Sequence, residues 1–348
     1  MELHKFNSKN IINKNIKKNY YGLSILKVLL AFDVINSHCF KSKSTSNKFI
    51  LYLLNSNKLH VPSFIIMSFY FTHNSLISLD LNKIYRRLER LFIPYLGWPF
   101  ILFILSNFIN VFCKKFPLIS FKNLYYQIIL GDAPNMPLHF WFLFDMIVTT
   151  NFFILIIISM KNHYIFILLM LMILSYYLQY SNINLYFFNS IRQPSLGKEN
   201  EFIPFAVTGF ILSEHNIIMT IQKKRLKVFL ISLIIYKIIQ YYDIFANLKG
   251  VQYSGLKLNA CSICIIIMFS LYSLELNKNY LIVLKALTNF TGGIYYIHRI
   301  VQRYFRFILY DIKNGTFYGI ILIYLFSYII CFLGTLMVGK TKAKYLFC

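Results

Sequence analysis

The segment from Leu23 to Cys39 reads LSILKVLLAFDVINSHC. It has the apolar content of a membrane span, yet it carries Lys27, Asp33 and His38. A Lys or Asp at the centre of a membrane helix costs about 2.5–3.5 kcal/mol on insertion scales, so such groups are functional candidates by default. Side chains on a helix turn by about 100° per residue, which puts Lys27 and His38 on one face, with a rise of about 16 Å between them. Ala31 and Val34 lie between them on this stripe and are small enough to leave a groove. Asp33 projects elsewhere, toward a cation or polar group on another helix. A Lys that snorkels to the interface and a His that sits there suit the same two positions.

The rest of the chain supplies the class. Of its 348 residues 57% are hydrophobic and 14% charged, against roughly 25% charged in soluble domains. Apolar runs recur at 22–40, 61–79, 92–112, 138–159, 163–180, 202–213, 228–247, 259–275, 281–301 and 317–338. A span needs about 20 mainly apolar residues, and the alternating ten-residue segments of a membrane β-barrel are not seen. The expected fold is an all-α integral membrane protein, a bundle of about ten transmembrane helices over 21–338. A polar tail at 1–20 precedes it and a short tail at 339–348 follows it. Pro62, Pro94, Pro99 and Pro204 fall near span entrances, where a missing N–H costs little.

The formal net charge is +24. Its cations sit mainly in short loops between apolar runs, which points to membrane lipids and phosphate-bearing ligands and away from nucleic acid. The densest clusters, within 10–20, 83–90 and 223–227, fall on one side when both termini are placed in the cytoplasm, as the bias of Lys and Arg toward cytoplasmic loops requires. No short apolar stretch ending in a cleavage site is evident, so no cleavable signal peptide is expected. Cys261 and Cys264 form a CxxC inside an apolar run without a second pair, and read as small hydrophobes; no metal site is expected.

Three further stretches carry candidates. KIYRRLERLFIPYLGW at 83–98 puts Arg87 and Arg90 on one helix face, where guanidinium forks suit phosphate oxygens and a cationic span anchor suits them too. MPLHFWFLFDMI at 136–147 sets His139 and Trp141 at the mouth of the fourth span: an aromatic belt suits Trp141, and a cap or an acceptor contact suits His139. NFTGGIYYIHRIVQRYFR at 289–306 begins with Gly292 and Gly293, which permit close helix approach, and sets Tyr295 and His298 on a common face. In this topology Lys27, Arg87 and Arg90 form a cationic inner layer, and His38, His139 and His298 an outer one.

Taken in order, these segments resemble the acyltransferase-3 family of multi-pass membrane acyltransferases, which includes O-acetyltransferases acting on cell-surface polysaccharides. The first span resembles the family's through ILKVLLAFDVINSH, the second through VPSFIIMSFYFT, the third through YRRLERLFIPYLGW, the fourth through HFWFLFDMI, the sixth through FIPFAVTGFIL and the ninth through GGIYYIH. The resemblance implies a ten-helix cell-membrane enzyme in which cytoplasmic acyl-CoA, acetyl-CoA by preference, donates its acyl group to a glycan or lipid-linked glycan at the outer face. It implies no permanently bound cofactor. By position His38 corresponds to the catalytic His of the first span, and Arg87 and Arg90 to an RxxR that assists CoA binding. Lys27 stands where the family usually has Arg, keeping the charge without the fork. Ser68-Phe69 replaces a common Ser-Gly. His139, Trp141, Tyr295 and His298 are left as acceptor-side candidates.

Two chemistries fit His38: general-base catalysis on a sugar hydroxyl, and a covalent acyl-His relay. With no large extracytoplasmic domain, either a separate transferase partner or the bundle itself completes the transfer. The competing class is a non-enzymatic transporter or exporter of a glycan intermediate, which would line a similar polar path.

Overall fold

The computed structural model describes residues 21–39, 59–113, 118–131, 140–180, 199–215, 217–221, 224–245, 255–271, 278–306 and 309–348. The polar tail expected at 1–20 lies outside them. Helices account for nearly all of the described chain, because a backbone in hydrocarbon must satisfy its own hydrogen bonds. In order they are α1 (Tyr21–Cys39), α2 (His60–Ile77), α3 (Leu81–Cys113), α4 (Phe121–Leu130), α5 (Trp141–Ser159), α6 (Tyr164–Tyr180) and α7 (Glu199–Glu214). There follow α8 (Ile217–Ile221), α9 (Arg225–Phe245), α10 (Leu256–Ser270), α11 (Lys278–Asn289), α12 (Thr291–Phe305), α13 (Tyr310–Asn314) and α14 (Phe317–Val338), then a 3₁₀ turn at Lys342–Leu346.

Four of the described helices are long and apolar enough to cross a membrane: Tyr21–Cys39, Leu81–Val111, Trp141–Ser159 and Phe317–Val338. About ten spans are therefore not established. The apolar stretches Tyr164–Gln179, Phe202–Glu214 and Leu256–Ser270 are shorter than the usual span. Polar residues interrupt α2 (His60, His73, Asn74) and α9 (Arg225, Lys227, Lys237). The run expected at 281–301 is broken at Phe290, between α11 and α12. Two glycines follow that break, and glycine is among the poorest helix formers.

The third span also differs from expectation. The helix read for the Arg-rich stretch is continuous with the span: α3 runs unbroken for 33 residues, so Pro94 and Pro99 lie inside the helix and not near its entrance. Each Pro leaves one carbonyl four residues back without its helical N–H. Pro204 likewise lies inside α7, while Pro62 sits in the first turn of α2. At its start, α3 is held by Asp80, whose carboxylate accepts from the Lys83 backbone N–H at 3.1 Å and meets its ammonium at 2.8 Å. This partner holds the Asp80 carboxyl below its ordinary range.

Two apolar clusters form the core. One joins the Leu23 half of α1 to α2, α6, α7 and α10; the other joins the Cys39 end of α1 to α3, α12 and α14. The helices α1, α3 and α5 contribute to both. Against α2, α7 packs so closely that a Cβ on Gly209 would lie 2.2 Å from the Ile66 carbonyl oxygen.

The glycines of α12 serve the C-terminal turn as well as the expected helix approach, since a Cβ on Gly293 would also lie 2.6 Å from Cys331 Sγ of α14. A Cβ on Gly293 would meet the Phe347 carbonyl oxygen at 2.2 Å, and one on Gly292 the Cys348 carbonyl oxygen at 2.8 Å. Residues 342–348 thus pack onto the bundle. Trp98 Nε1 donates to the Leu346 carbonyl at 2.9 Å, and Lys342 pairs with Glu89. That carboxylate raises the Lys342 ammonium above its ordinary value.

Candidate active site

Where the two core clusters meet, a cavity of about 290 Å³ opens between α1, α2, α3, α5 and α12. Its wall includes Lys27, Ser68, Phe71, Arg87, Phe142 and Tyr295. Two cations from different helices therefore reach one largely apolar space. Lys27 Nζ lies 5.0 Å from the centre of the Phe71 ring, in a cation–π contact. No described carboxylate pairs with it.

Arg87 is held from three sides. Its Nε donates to Thr150 Oγ1 at 3.2 Å, and its Nη1 to Ser68 Oγ at 2.9 Å. The Thr150 hydroxyl spends its own proton on the Met146 carbonyl, so its lone pairs are left to accept. Phe69, in place of the Gly common in the resembling family, lies under the guanidinium at 5.0 Å. The remaining nitrogen, Nη2, is buried and finds no partner among the described residues. A buried charged donor left unpaired costs about 1–3 kcal/mol or more, a cost that an incoming anion would relieve.

Arg90 does not join Arg87. It is exposed, and its guanidinium packs over the Tyr345 ring at 5.6 Å. Although i and i+3 share a helix face, Arg87 turns into the α2–α5 seam and Arg90 toward the C-terminal turn.

At the other end of α1, the His38 ring stacks on that of His298 of α12, with centroids 5.5 Å apart and planes inclined by 26°. His298 Nδ1 lies 2.7 Å from the Tyr295 carbonyl. A carbonyl only accepts, so Nδ1 carries the proton, and in the neutral ring Nε2 carries the lone pair. The Tyr295 and His298 rings are 6.1 Å apart. Cavity wall, His298 and His38 thus form a continuous series of rings.

This replaces the groove expected along α1. Ala31 and Val34 have no exposed surface, because small residues there admit neighbouring helices instead of leaving space. The short way from cavity to His38 runs past Tyr295 on α12.

Asp33 has the partner on another helix that its position predicts: His60 Nδ1 lies 2.9 Å from Asp33 Oδ2, with the His side chain 1% exposed. His60 sits in the first turn of α2, and nothing in a linear reading couples it to Asp33. A second, partly buried pair joins His73 Nε2 to Glu214 Oε2 at 2.5 Å, and Tyr164 OH donates to the other Glu214 oxygen at 3.3 Å. Trp141 is 8% exposed and lies in the first core cluster, so it is no interfacial belt residue. His139 lies outside the described residues. Cys261 and Cys264 are buried, as small apolar side chains are.

The acyltransferase domain of the acyltransferase-3 family matches residues 20–336 of this chain. No curated protein and no solved structure gives a match. With the match spanning nearly the whole sequence, the chain belongs to this family of membrane acyltransferases.

Proposed function

We propose that the protein is a membrane O-acyltransferase that takes an acyl group, acetyl by preference, from acyl-CoA and gives it to a hydroxyl of a cell-envelope glycan. The observation that carries this reading is the convergence of Lys27 and Arg87 on one cavity whose wall continues through Tyr295 to the His298–His38 stack. Acyl-CoA is a polyanion with a thin, weakly polar arm. Its anionic part needs cations at the mouth of an apolar space, and its arm needs an apolar passage.

At about 290 Å³ the cavity is at the small end of ligand sites. It receives one end of the donor, and the nucleotide stays at the rim. Lys27 and Arg87 hold phosphate or carbonyl oxygens, Arg87 through its open Nη2. His38 takes the proton of the acceptor hydroxyl as that oxygen attacks the thioester carbonyl. The C–O bond forms, the C–S bond breaks, and CoA leaves as a thiolate that is then protonated. General-base help of this kind contributes about 10²–10⁴-fold. His298, stacked on His38, fixes its ring plane.

In this reading the Lys27 end faces the cytoplasm, both termini lie there, and the His38 end meets the acceptor across the cell membrane. Membranes carrying the protein are incubated with radiolabelled acetyl-CoA. Label reaching surface glycan with the native chain and not with His38→Ala supports the reading. Glycan movement without acetyl-CoA consumption would identify an exporter instead.

A further inference from the structure

A line of polar residues on α12 leads away from the cavity at the His38 end. Tyr295, Arg299, Gln302 and Arg306 are spaced by four, three and four residues, a single helical stripe about 16 Å long. Tyr295 is on the cavity wall and Arg306 is exposed. Arg303 lies beside this stripe, within about 60° of both Arg299 and Arg306. Arg299 and Arg306 both act on it electrostatically.

The stripe is tied directly to His38. Arg299 Nη1 donates to the His38 carbonyl at 3.5 Å and to Gln302 Oε1 at 2.6 Å, while Gln302 Nε2 donates to the same His38 carbonyl at 3.4 Å. Arg299 is partly buried, and among the described residues the hydrogen-bond partners of its guanidinium are neutral oxygens; no described carboxylate pairs with it. Like charges three and four residues apart on one helix face repel one another. Membrane topology gives no reason for them either, since in the proposed orientation this is the outer end, where the Lys and Arg bias does not apply. An anionic ligand balances the positive charge gathered on this stripe.

We propose that Arg299, Arg303 and Arg306 bind a phosphate ester of the acceptor and so hold its hydroxyl at the His38–His298 pair. The acceptor is then a phosphate-bearing glycan or glycan carrier and not a neutral saccharide. Guanidinium forks bond phosphate oxygens in pairs, and the stripe fixes the direction from which the acceptor arrives. This rests on the acyltransferase reading above.

The full chain in phosphatidylcholine nanodiscs is tested for binding of farnesyl phosphate, a membrane-soluble phosphate monoester, against farnesol. The phosphate binds about tenfold more tightly or better, and Arg299→Gln and the double variant Arg303→Gln/Arg306→Gln each lose about tenfold. The described contacts to the His38 carbonyl come from Arg299 and Gln302, neither of which the double variant changes, so its loss is not traced to a displaced His38. Equal binding of phosphate and alcohol, or native binding by both variants, overturns the proposal. So does displacement by phosphatidylglycerol doped into the disc but not by soluble glycerol phosphate, which assigns the arginines to lipid headgroups. Acetyl-CoA turnover in the same discs keeps the two conclusions apart. Probe binding without turnover upholds the anion site and overturns the acyltransferase reading; turnover onto endogenous glycan with no probe selectivity does the reverse.

Discussion

His38 and His298 stack ring against ring with centroids 5.5 Å apart, one from the end of α1 and the other from the middle of α12. The Tyr295 carbonyl fixes the tautomer of His298, and that ring in turn limits the orientations open to His38. A base must be aimed before it is useful. His38→Ala is expected to lower acyl transfer by about 10²–10⁴-fold while the protein still inserts, and His298→Ala by less. Transfer of label from acetyl-CoA is the measurement. Full activity in His38→Ala would remove this residue from the mechanism.

At the cavity, Arg87→Lys keeps a charge but cannot span Thr150, Ser68 and a ligand oxygen together. It is expected to raise the KM for acyl-CoA by about tenfold, and Arg87→Ala by more. Lys27→Arg preserves or improves donor use, whereas Lys27→Ala weakens it. Donor titrations of the four variants check this, and an unchanged KM in Lys27→Ala would take Lys27 out of the site.

Removing Asp33 leaves a fully buried imidazole without its carboxylate. Asp33→Ala is expected to cost about 1–3 kcal/mol of stability, and Asp33→Asn less, since its amide oxygen still accepts from His60 Nδ1. Thermal unfolding in detergent, together with His60→Ala and the double variant, measures the coupling. Additive single effects would mean that the two side chains do not interact.

Gly209→Ala adds a methyl group 2.2 Å from the Ile66 backbone oxygen. Backbone cannot rotate away as a side chain can, so α7 must move off α2. The expected cost is about 1–3 kcal/mol or more, read as a lower unfolding temperature with no change in donor KM at permissive temperature.

Lys342 holds the C-terminal turn to α3 through Glu89, and its ammonium is raised above its ordinary 10.5 in the folded chain. A raised cation contributes stability that is complete below its unfolded value and is lost as pH rises through the folded one. Docking of residues 342–348 should therefore be unaffected by pH below 10.5 and loosen as pH rises beyond it. Limited proteolysis of this turn across that range, with Lys342→Gln as the uncoupled control, tests it.

Membrane character and the chemical residues were open to reading in one dimension, because a charge in an apolar run stands out wherever the chain goes. Lys27 and His38 are singled out in that way, and Arg87, Tyr295 and His298 as candidates on shared helix faces. Helix arithmetic also put Asp33 off the Lys27–His38 stripe, toward another helix. It reaches no further than one helix, however. Whether Ala31 and Val34 leave a groove or admit a neighbour depends on what packs there, and packing filled the space. The same limit hid His60, whose partner lies on the preceding helix, and parted Arg87 from Arg90, which share a face but meet different neighbours. Apolar run length suggests about ten spans where four described helices are long and apolar enough to cross a membrane, since a run continues across a break such as Phe290, where the backbone ends one helix and starts the next. The sequence by itself thus determined a helical membrane acyltransferase and most of its candidate groups. Only the tertiary structure decided that Lys27 and Arg87 share one cavity, and that α12, not α1, connects it to the histidines, because proximity between helices is set by side-chain packing across them.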